Sequence, residues 1–315
     1  MTGAMSIDGT DSDTQRVLLG VVWRDHVPHL RTRRADHALS DLILIDGWRL
    51  NYRIEGEPSR TCVGHIPFRN KRSEYHDCKK APRPGSRHCE RCAIVEATFA
   101  SQLHHAHHKG SSELDAAFHE HLAKPNRLYL AAFRDGSIKI GTSTLTRAET
   151  RLEEQGAWTA RFIAETTNGR TVRHLEDAVT ERLGIAQSVS AVRKRRGLVS
   201  PISNDQLSAM LQHAVDEVLR TIVNPAVGDD MTSLDLHWHH PMAEHPAAAH
   251  ILDYPLALQK GRHDLYLVTA IGRHILVKRA DGDDVFVIDP SPLFGVRLDI
   301  GEFGSDEITI QDSLF

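Results

Sequence analysis

Residues 128–156 read LYLAAFRDGSIKIGTSTLTRAETRLEEQG, and the register of the hairpin they encode decides the fold around them. A two-residue loop at Asp135 and Gly136 would put Lys139 on one face with Leu128 and Leu130, burying an ammonium among leucines. A three-residue loop of Arg134, Asp135 and a left-handed Gly136 shifts the pairing by one. Ala131 then faces Lys139 and Tyr129 faces Gly141, while Leu128, Leu130, Ala132, Ile138 and Ile140 form an apolar face. The second register avoids the buried cation and sets Tyr129 and Lys139 side by side.

Two helices are expected to follow. Thr146 and Glu149 have the spacing of a capping box, and Gly156 suits the helix end. Arg147 and Arg151 stand one turn apart on this helix, so both guanidinium groups leave the same side. In the next helix Val172, Leu175, Val179 and Leu183 make an apolar stripe, and Glu176 lies inside it. An inward carboxylate is costly unless it is paired or holds a metal. Glu176 is therefore the most informative acid in the chain.

Leu128-Tyr129-Leu130, Lys139-Ile140-Gly141 ten residues on, then Arg151 on one helix and Glu176 on the next, together resemble the GIY-YIG nuclease superfamily. The resemblance covers about residues 125–197. It departs from the family pattern at Leu128, where the first glycine would stand, and at Lys139, which replaces the second tyrosine. It implies that Tyr129 sits near the attacking water, that Lys139 stands for the second tyrosine, that Arg151 steadies the phosphate and that Glu176 binds one Mg²⁺ or Mn²⁺; a cation beside a phenol also lowers its pKa, which gives Lys139 a purpose there. Arg147 is a reserve for the phosphate. The chain also resembles an uncharacterised bacterial family that couples a Cys-rich module to such a domain.

All four cysteines, Cys62, Cys78, Cys89 and Cys92, fall within residues 60–92, the last pair as Cys-x-x-Cys. Four thiolates so spaced suit a tetrahedral structural zinc ion, with His65, His76 and His88 as alternative ligands. The intervening sequence is too polar to build a core, so metal binding supplies the folding energy. Arg69, Lys71, Arg72, Lys79, Lys80, Arg83 and Arg87 in this module are able to neutralise phosphates.

The formal net charge of the 315-residue chain is -4, yet it is unevenly spread. Residues 60–92 and 124–196 each carry a surplus of six positive charges, so the remainder is strongly acidic. Such local basic regions, rather than the total, point to nucleic acid. No apolar run approaches the roughly 20 residues that span a bilayer, and a cytoplasmic location is expected.

The expected organisation is α+β. Residues 1–16 read as a disordered lead-in and 17–59 as an N-terminal β segment, in which Trp23, Trp48 and Tyr52 read as core aromatics. A four-cysteine zinc module spans 60–92, a helical linker 93–123 and the nuclease-like small α/β domain 124–197. An amphipathic helix over 198–224 carries Leu207, Met210, Leu211, Val215, Val218 and Leu219 on one side. Over 225–315 a loose connection, to about residue 260, precedes a β segment that alternates like a small antiparallel barrel. Both chain ends are strand-rich, which predicts one β domain built from the two. Arg193, Lys194, Arg195 and Arg196 form a basic run suited to a bound strand, and one-turn spacing of His104 with His108 makes a second metal site conceivable.

Read together, these features describe a divalent-metal-dependent endonuclease acting on DNA, in repair or in defence against foreign DNA. Two rivals are a zinc-dependent nucleic-acid binder with an inactive nuclease fold, and a metal-handling protein exploiting the 21 histidines.

Overall fold

The hairpin adopts the three-residue register. The computed structural model, which describes residues 14–66, 75–110 and 116–307, pairs Tyr129 with Gly141 and Ala131 with Lys139. Gly136 takes the left-handed conformation with φ 84°, and its N–H donates to the Phe133 carbonyl at 2.8 Å to close the turn. An L side chain there would be strained, which is why the turn needs glycine.

In chain order the strands are β1 (Gln15–Arg24), β2 (Val27–Arg34), β3 (Leu39–Ile43), β4 (Arg49–Ile54), β5 (Asn126–Ala132), β6 (Ile138–Thr144) and β7 (Thr159–Thr166). They continue with β8 (Met231–His239), β9 (Leu252–Asp253), β10 (Gly261–Ile271), β11 (His274–Arg279), β12 (Val285–Ile288) and β13 (Arg297–Ile300). The helices used below are α1 (Glu90–His105), α2 (Ala116–Leu122), α3 (Ala148–Gln155), α4 (Gly169–Leu183), α5 (Ala191–Val199) and α6 (Asn204–Val218). The fold is α+β, and it divides into two units.

The first unit draws on Met1–Gly64, Asp77–Cys92 and His250–Phe315. Its sheet has the order β3-β2-β1-β13-β4-β10-β11-β12-β9, so both chain ends do build one β domain. Gln15 pairs with Asp299 and Tyr52 with His263, burying apolar positions drawn from both ends. No pairing of β3 with β9 closes it into a barrel among the described residues. Trp48 and Tyr52 are buried, as expected of core aromatics, and the Tyr52 hydroxyl donates to the Leu258 carbonyl. Gln15 and Arg16 already stand in β1, which corrects the end of the expected lead-in; residues 1–13 lie outside the described residues.

The second unit draws on His65–His76 and Ala93–Ala249. Its sheet has the order β6-β5-β7-β8, with α3, α4 and α6 packed on it. Strand β8 corrects the reading of residues 225–260 as a loose connection. It pairs with β7 from Thr159↔His239 to Thr166↔Met231. Its histidines and acids look loop-like because an edge strand keeps much of its length in solvent; only Met231 and Trp238 are buried. The other correction is to the start of α3. Residues 145–147 form a 3₁₀ turn, Arg147 is the N-cap, and no side chain caps the helix, so the Thr146 and Glu149 capping box does not form. Gly156 does end the helix, in the left-handed conformation.

Helix α4 folds as its pattern predicts. Asn168 caps it by accepting from the Thr171 N–H at 2.9 Å, and Val172, Leu175 and Val179 are buried together with Glu176. Helix α6 has a full capping box between Ser203 and Gln206 and buries Leu207, Leu211, Val215 and Val218, but Met210 of the expected apolar side is exposed and Leu219 lies past the helix end.

Candidate functional site

Tyr129 reaches the site through the core. It is fully buried in a cluster with Phe133, Leu152, Phe162 and Trp238, and its hydroxyl accepts from Gln155 Nε2 at 2.9 Å. Burial raises its pKa, and the nearby Arg151 only partly offsets this. The expectation of a phenolate promoted by Lys139 is thus corrected: in the dry interior the neutral phenol is favoured, and with Gln155 donating to its oxygen the hydroxyl proton is left to be donated. Opposite it on β6, a Cβ on Gly141 would lie 2.5 Å from the Tyr129 hydroxyl oxygen. Only glycine lets the ring lie there. Gly141→Ala is expected to cost about 1–3 kcal/mol, the usual penalty of overpacking, read from the urea midpoint of the purified chain.

Lys139 is buried beside this ring, with Nζ 5.8 Å from the ring centroid. Burial pushes its pKa down to about 8, with Arg151 pushing the same way and Glu176 opposing. Glu176 is buried with its Oε2 accepting from Arg173 Nη1 at 2.9 Å; burial raises its pKa while Arg173 and Lys139 pull it back. Arg151 is exposed and lies 3.5 Å from Glu154, and Arg147 pairs with the same carboxylate. Tyr129 and Lys139 thus stand side by side, and each feels the charges of Arg151 and Glu176.

The basic run is divided by its helix. Arg193 and Arg196 are exposed on α5, and Arg193 bonds Asp135 at 3.0 Å. Lys194 instead turns inward, donating to the Gln155 carbonyl at 2.8 Å with its ammonium over the Phe133 ring, and Arg195 is half-buried. The expectation that all four residues face a nucleic acid is corrected at Lys194, whose helical position points at the sheet. Lys79, Lys80, Arg83 and Arg87 are exposed; Arg69, Lys71 and Arg72 lie outside the described residues.

In the first unit the four cysteines form one buried cluster, with all four sulfurs within 4.8 Å of one another. The Cys78 and Cys89 sulfurs are 3.8 Å apart, and a tetrahedral zinc with bonds of about 2.3 Å has sulfur–sulfur edges of about 3.8 Å. The Cys62 sulfur accepts from the backbone N–H groups of Gly64 and Cys89, and the Cys92 N–H pulls the Cys89 thiol down to about 7. The cluster fits a metal ion such as zinc. His88 is not part of it, since its Nδ1 bonds the Gly64 carbonyl at 2.9 Å, and neither are His65 and His76, which pair with each other through their backbones.

A family model matches residues 52–261, a range that contains both the cysteine cluster and the Tyr129–Glu176 site. The chain belongs to the DUF2797 family. That family is described as a protein of unknown function, so DUF2797 membership brings no activity with it. No curated protein and no solved structure matches the chain. Within the DUF2797 region the sequence reading missed two supporting residues, Gln155 on the Tyr129 hydroxyl and Arg173 on Glu176, and it placed the inward Lys194 on the surface. Arg173 alone had a signal, its spacing three residues before Glu176. A third, Arg33 on β2, precedes the matched region. It is buried and donates to Asp77 at 2.5 Å, to the Cys78 carbonyl at 3.2 Å and to Thr61, bracing the cysteine cluster.

Proposed function

We propose that this DUF2797 protein is a divalent-metal-dependent endonuclease of DNA, acting in the cytoplasm. The observation that carries the reading is the grouping of Tyr129, Lys139, Arg151 and Glu176, an arrangement of donors and cations around a single buried carboxylate. Arg151 neutralises a non-bridging phosphate oxygen, and Tyr129, which keeps its proton, orients the attacking water by a hydrogen bond. Lys139, with a pKa near 8, is the general base: at neutral pH a useful fraction is the free amine, able to take the proton of the attacking water. Glu176 is the residue that would hold Mg²⁺ or Mn²⁺, hard ions that need few protein ligands because they keep much of their water. Such an ion supplies Lewis-acid stabilisation of the departing oxygen and of the phosphate charge. The donor chemistry suits it, with Oε2 tied to Arg173 and Oε1 the oxygen to offer. Arg147, Arg193 and Arg196 of the same unit contribute phosphate contacts whose strength falls with salt.

A second reading, a nucleic-acid binder with an inactive nuclease fold, is favoured by the Glu176–Arg173 ion pair, because a neutralised acid has no need of a metal. The two are separated by incubating labelled branched, duplex and single-stranded DNA with Mg²⁺ or Mn²⁺ and comparing the wild-type chain with Glu176→Ala. The nuclease reading expects cutting that vanishes in the variant while DNA binding persists. If neither protein cuts, yet both bind with a steep salt dependence, the binding module takes its place.

A further inference from the structure

The unit that holds the Tyr129–Glu176 site carries a second group of potential ligands, outside that site. Helix α1 ends in a 3₁₀ turn, Ala106–His108, whose Ala106 and His107 are buried. Arg170 in the first turn of α4 donates to the carbonyls of His107 and Lys109, the latter at 2.9 Å, and so pins this turn against α4. The pinning brings His107 and His108 to His174 of α4. The rings of His107 and His108 are 3.9 Å apart at their centroids, and His174 lies 5.1 and 5.7 Å from them. One nitrogen from each ring lies within 4.8 Å of the other two. A tetrahedral zinc with bonds of about 2.0–2.1 Å needs nitrogen–nitrogen edges of roughly 3.4 Å. Small rotations of the exposed His108 and His174 cover the difference.

Asp177, one turn from His174 on α4, supplies the outer support. Its Oδ2 lies 2.7 Å from His107 Nε2 and 3.2 Å from His108 Nε2, while Gln187 donates to its Oδ1 at 2.9 Å. A metal-binding histidine usually gives its second ring nitrogen to a carboxylate, which fixes the tautomer and makes the ligating nitrogen more basic. With the His107 Nε2–H donating to the Asp177 carboxylate, the lone pair is at Nδ1. That Nδ1 is buried and has no hydrogen-bond partner among the described residues. A buried imidazole nitrogen left without a partner is costly, and a metal ion satisfies it.

We infer that His107, His108 and His174 bind a divalent transition-metal ion of the zinc class, with Asp177 as the outer carboxylate and one coordination position open to water. Three imidazoles select zinc, nickel, copper or cobalt over magnesium and calcium, which prefer oxygen ligands. The ion joins the end of α1 to α4, and the open position faces solvent on the side of the exposed His108 and His174. Neither the cysteine cluster nor the endonuclease reading is needed for this site.

The test is a metal titration of the full chain stripped with chelator. With Zn²⁺ the wild type is expected to take two equivalents, His174→Ala one, and Cys92→Ser one. With Co²⁺ one equivalent produces thiolate-to-metal charge transfer in the near ultraviolet, and the other adds only ligand-field absorption. His174→Ala is expected to lose the second signal and keep the first. Asp177→Asn is expected to weaken the nitrogen site by about 10–100-fold while leaving two equivalents at saturation. A wild-type chain whose only Co²⁺ signal is the thiolate charge transfer overturns the site, as does a nitrogen-type equivalent that persists in both His174→Ala and His108→Ala. Both histidines are exposed, so circular dichroism of the two variants shows directly that a lost equivalent is not a lost fold.

Discussion

Cys92→Ser will release one metal ion per chain and loosen the segment from Arg60 to Cys92, a loss on the order of 5 kcal/mol in the stability of that region. Structural zinc contributes about 10–16 kcal/mol of apparent binding energy where a small domain depends on it wholly. Here part of the restraint is independent of metal: the Thr61 N–H donates to the Gly295 carbonyl, Arg60 bridges to Val296, and Arg33 ties Asp77 to Thr61. The loss should therefore be local. Without an ion the four thiols face one another in a dry cluster, and burial holds Cys92 above the usual thiol range. Metal binding replaces that conflict with four thiolates around a cation, so affinity falls as pH falls and protons compete for the sulfurs. The measurement is hydrogen exchange resolved by segment. Exchange in residues 75–92 should accelerate in Cys92→Ser and in chelator-treated wild type, with zinc restoring only the wild type. Unchanged protection in both would make the cysteine cluster a set of packed thiols.

What was legible in the sequence followed from local rules that tolerate little freedom. The hairpin register was readable because one alternative buries an ammonium among leucines, although in the register adopted Lys139 is buried too, against the Tyr129 ring on the opposite face. The stripe of α4 was readable because a period of 3.6 leaves Glu176 nowhere to go but inward. The cysteine cluster was readable because cysteine is scarce and the four share one window. Other features depended on partners far along the chain. Nothing near Arg33 announces that it will reach Asp77 and Cys78, and nothing in the composition of Met231–His239 announces a strand, because its pairing with β7 is decided at long range. The histidine cluster shows both cases. One-turn spacing drew attention to His104 with His108, but the side chains of His104 and His105 lie outside the described residues. The group that meets is His107, His108 and His174, from two elements far apart in sequence that are joined by the Arg170 contacts.

Lys139→Met is expected to make the protein more stable while it removes cleavage. The ammonium of Lys139 is held among Tyr129, Arg151 and Arg173 with burial against it, and its pKa falls from the ordinary 10.5 to about 8. The native chain therefore holds this proton less tightly than the unfolded chain does. The resulting cost is present in full below about pH 8, shrinks as pH rises and is gone above about 10.5, and at about 1.4 kcal/mol per pKa unit it is on the order of 3 kcal/mol at neutral pH. Methionine has a similar shape and no charge, so the variant should gain most of that amount at pH 7 and nothing near pH 11. Urea melts at the two pH values read this directly. If the free amine is the base, wild-type cleavage should rise as pH passes through 8, and the variant should be slower by about 10²–10⁴-fold. Glu176→Gln makes a matched control. It relieves the burial of a carboxylate but forfeits the Arg173 ion pair, so its stability should move little while cleavage is lost. A residue kept for packing would lose stability on replacement; one that costs stability and yields turnover is held in place by chemistry. A stability gain in Lys139→Met with undiminished cutting would remove Lys139 from the mechanism as the general base.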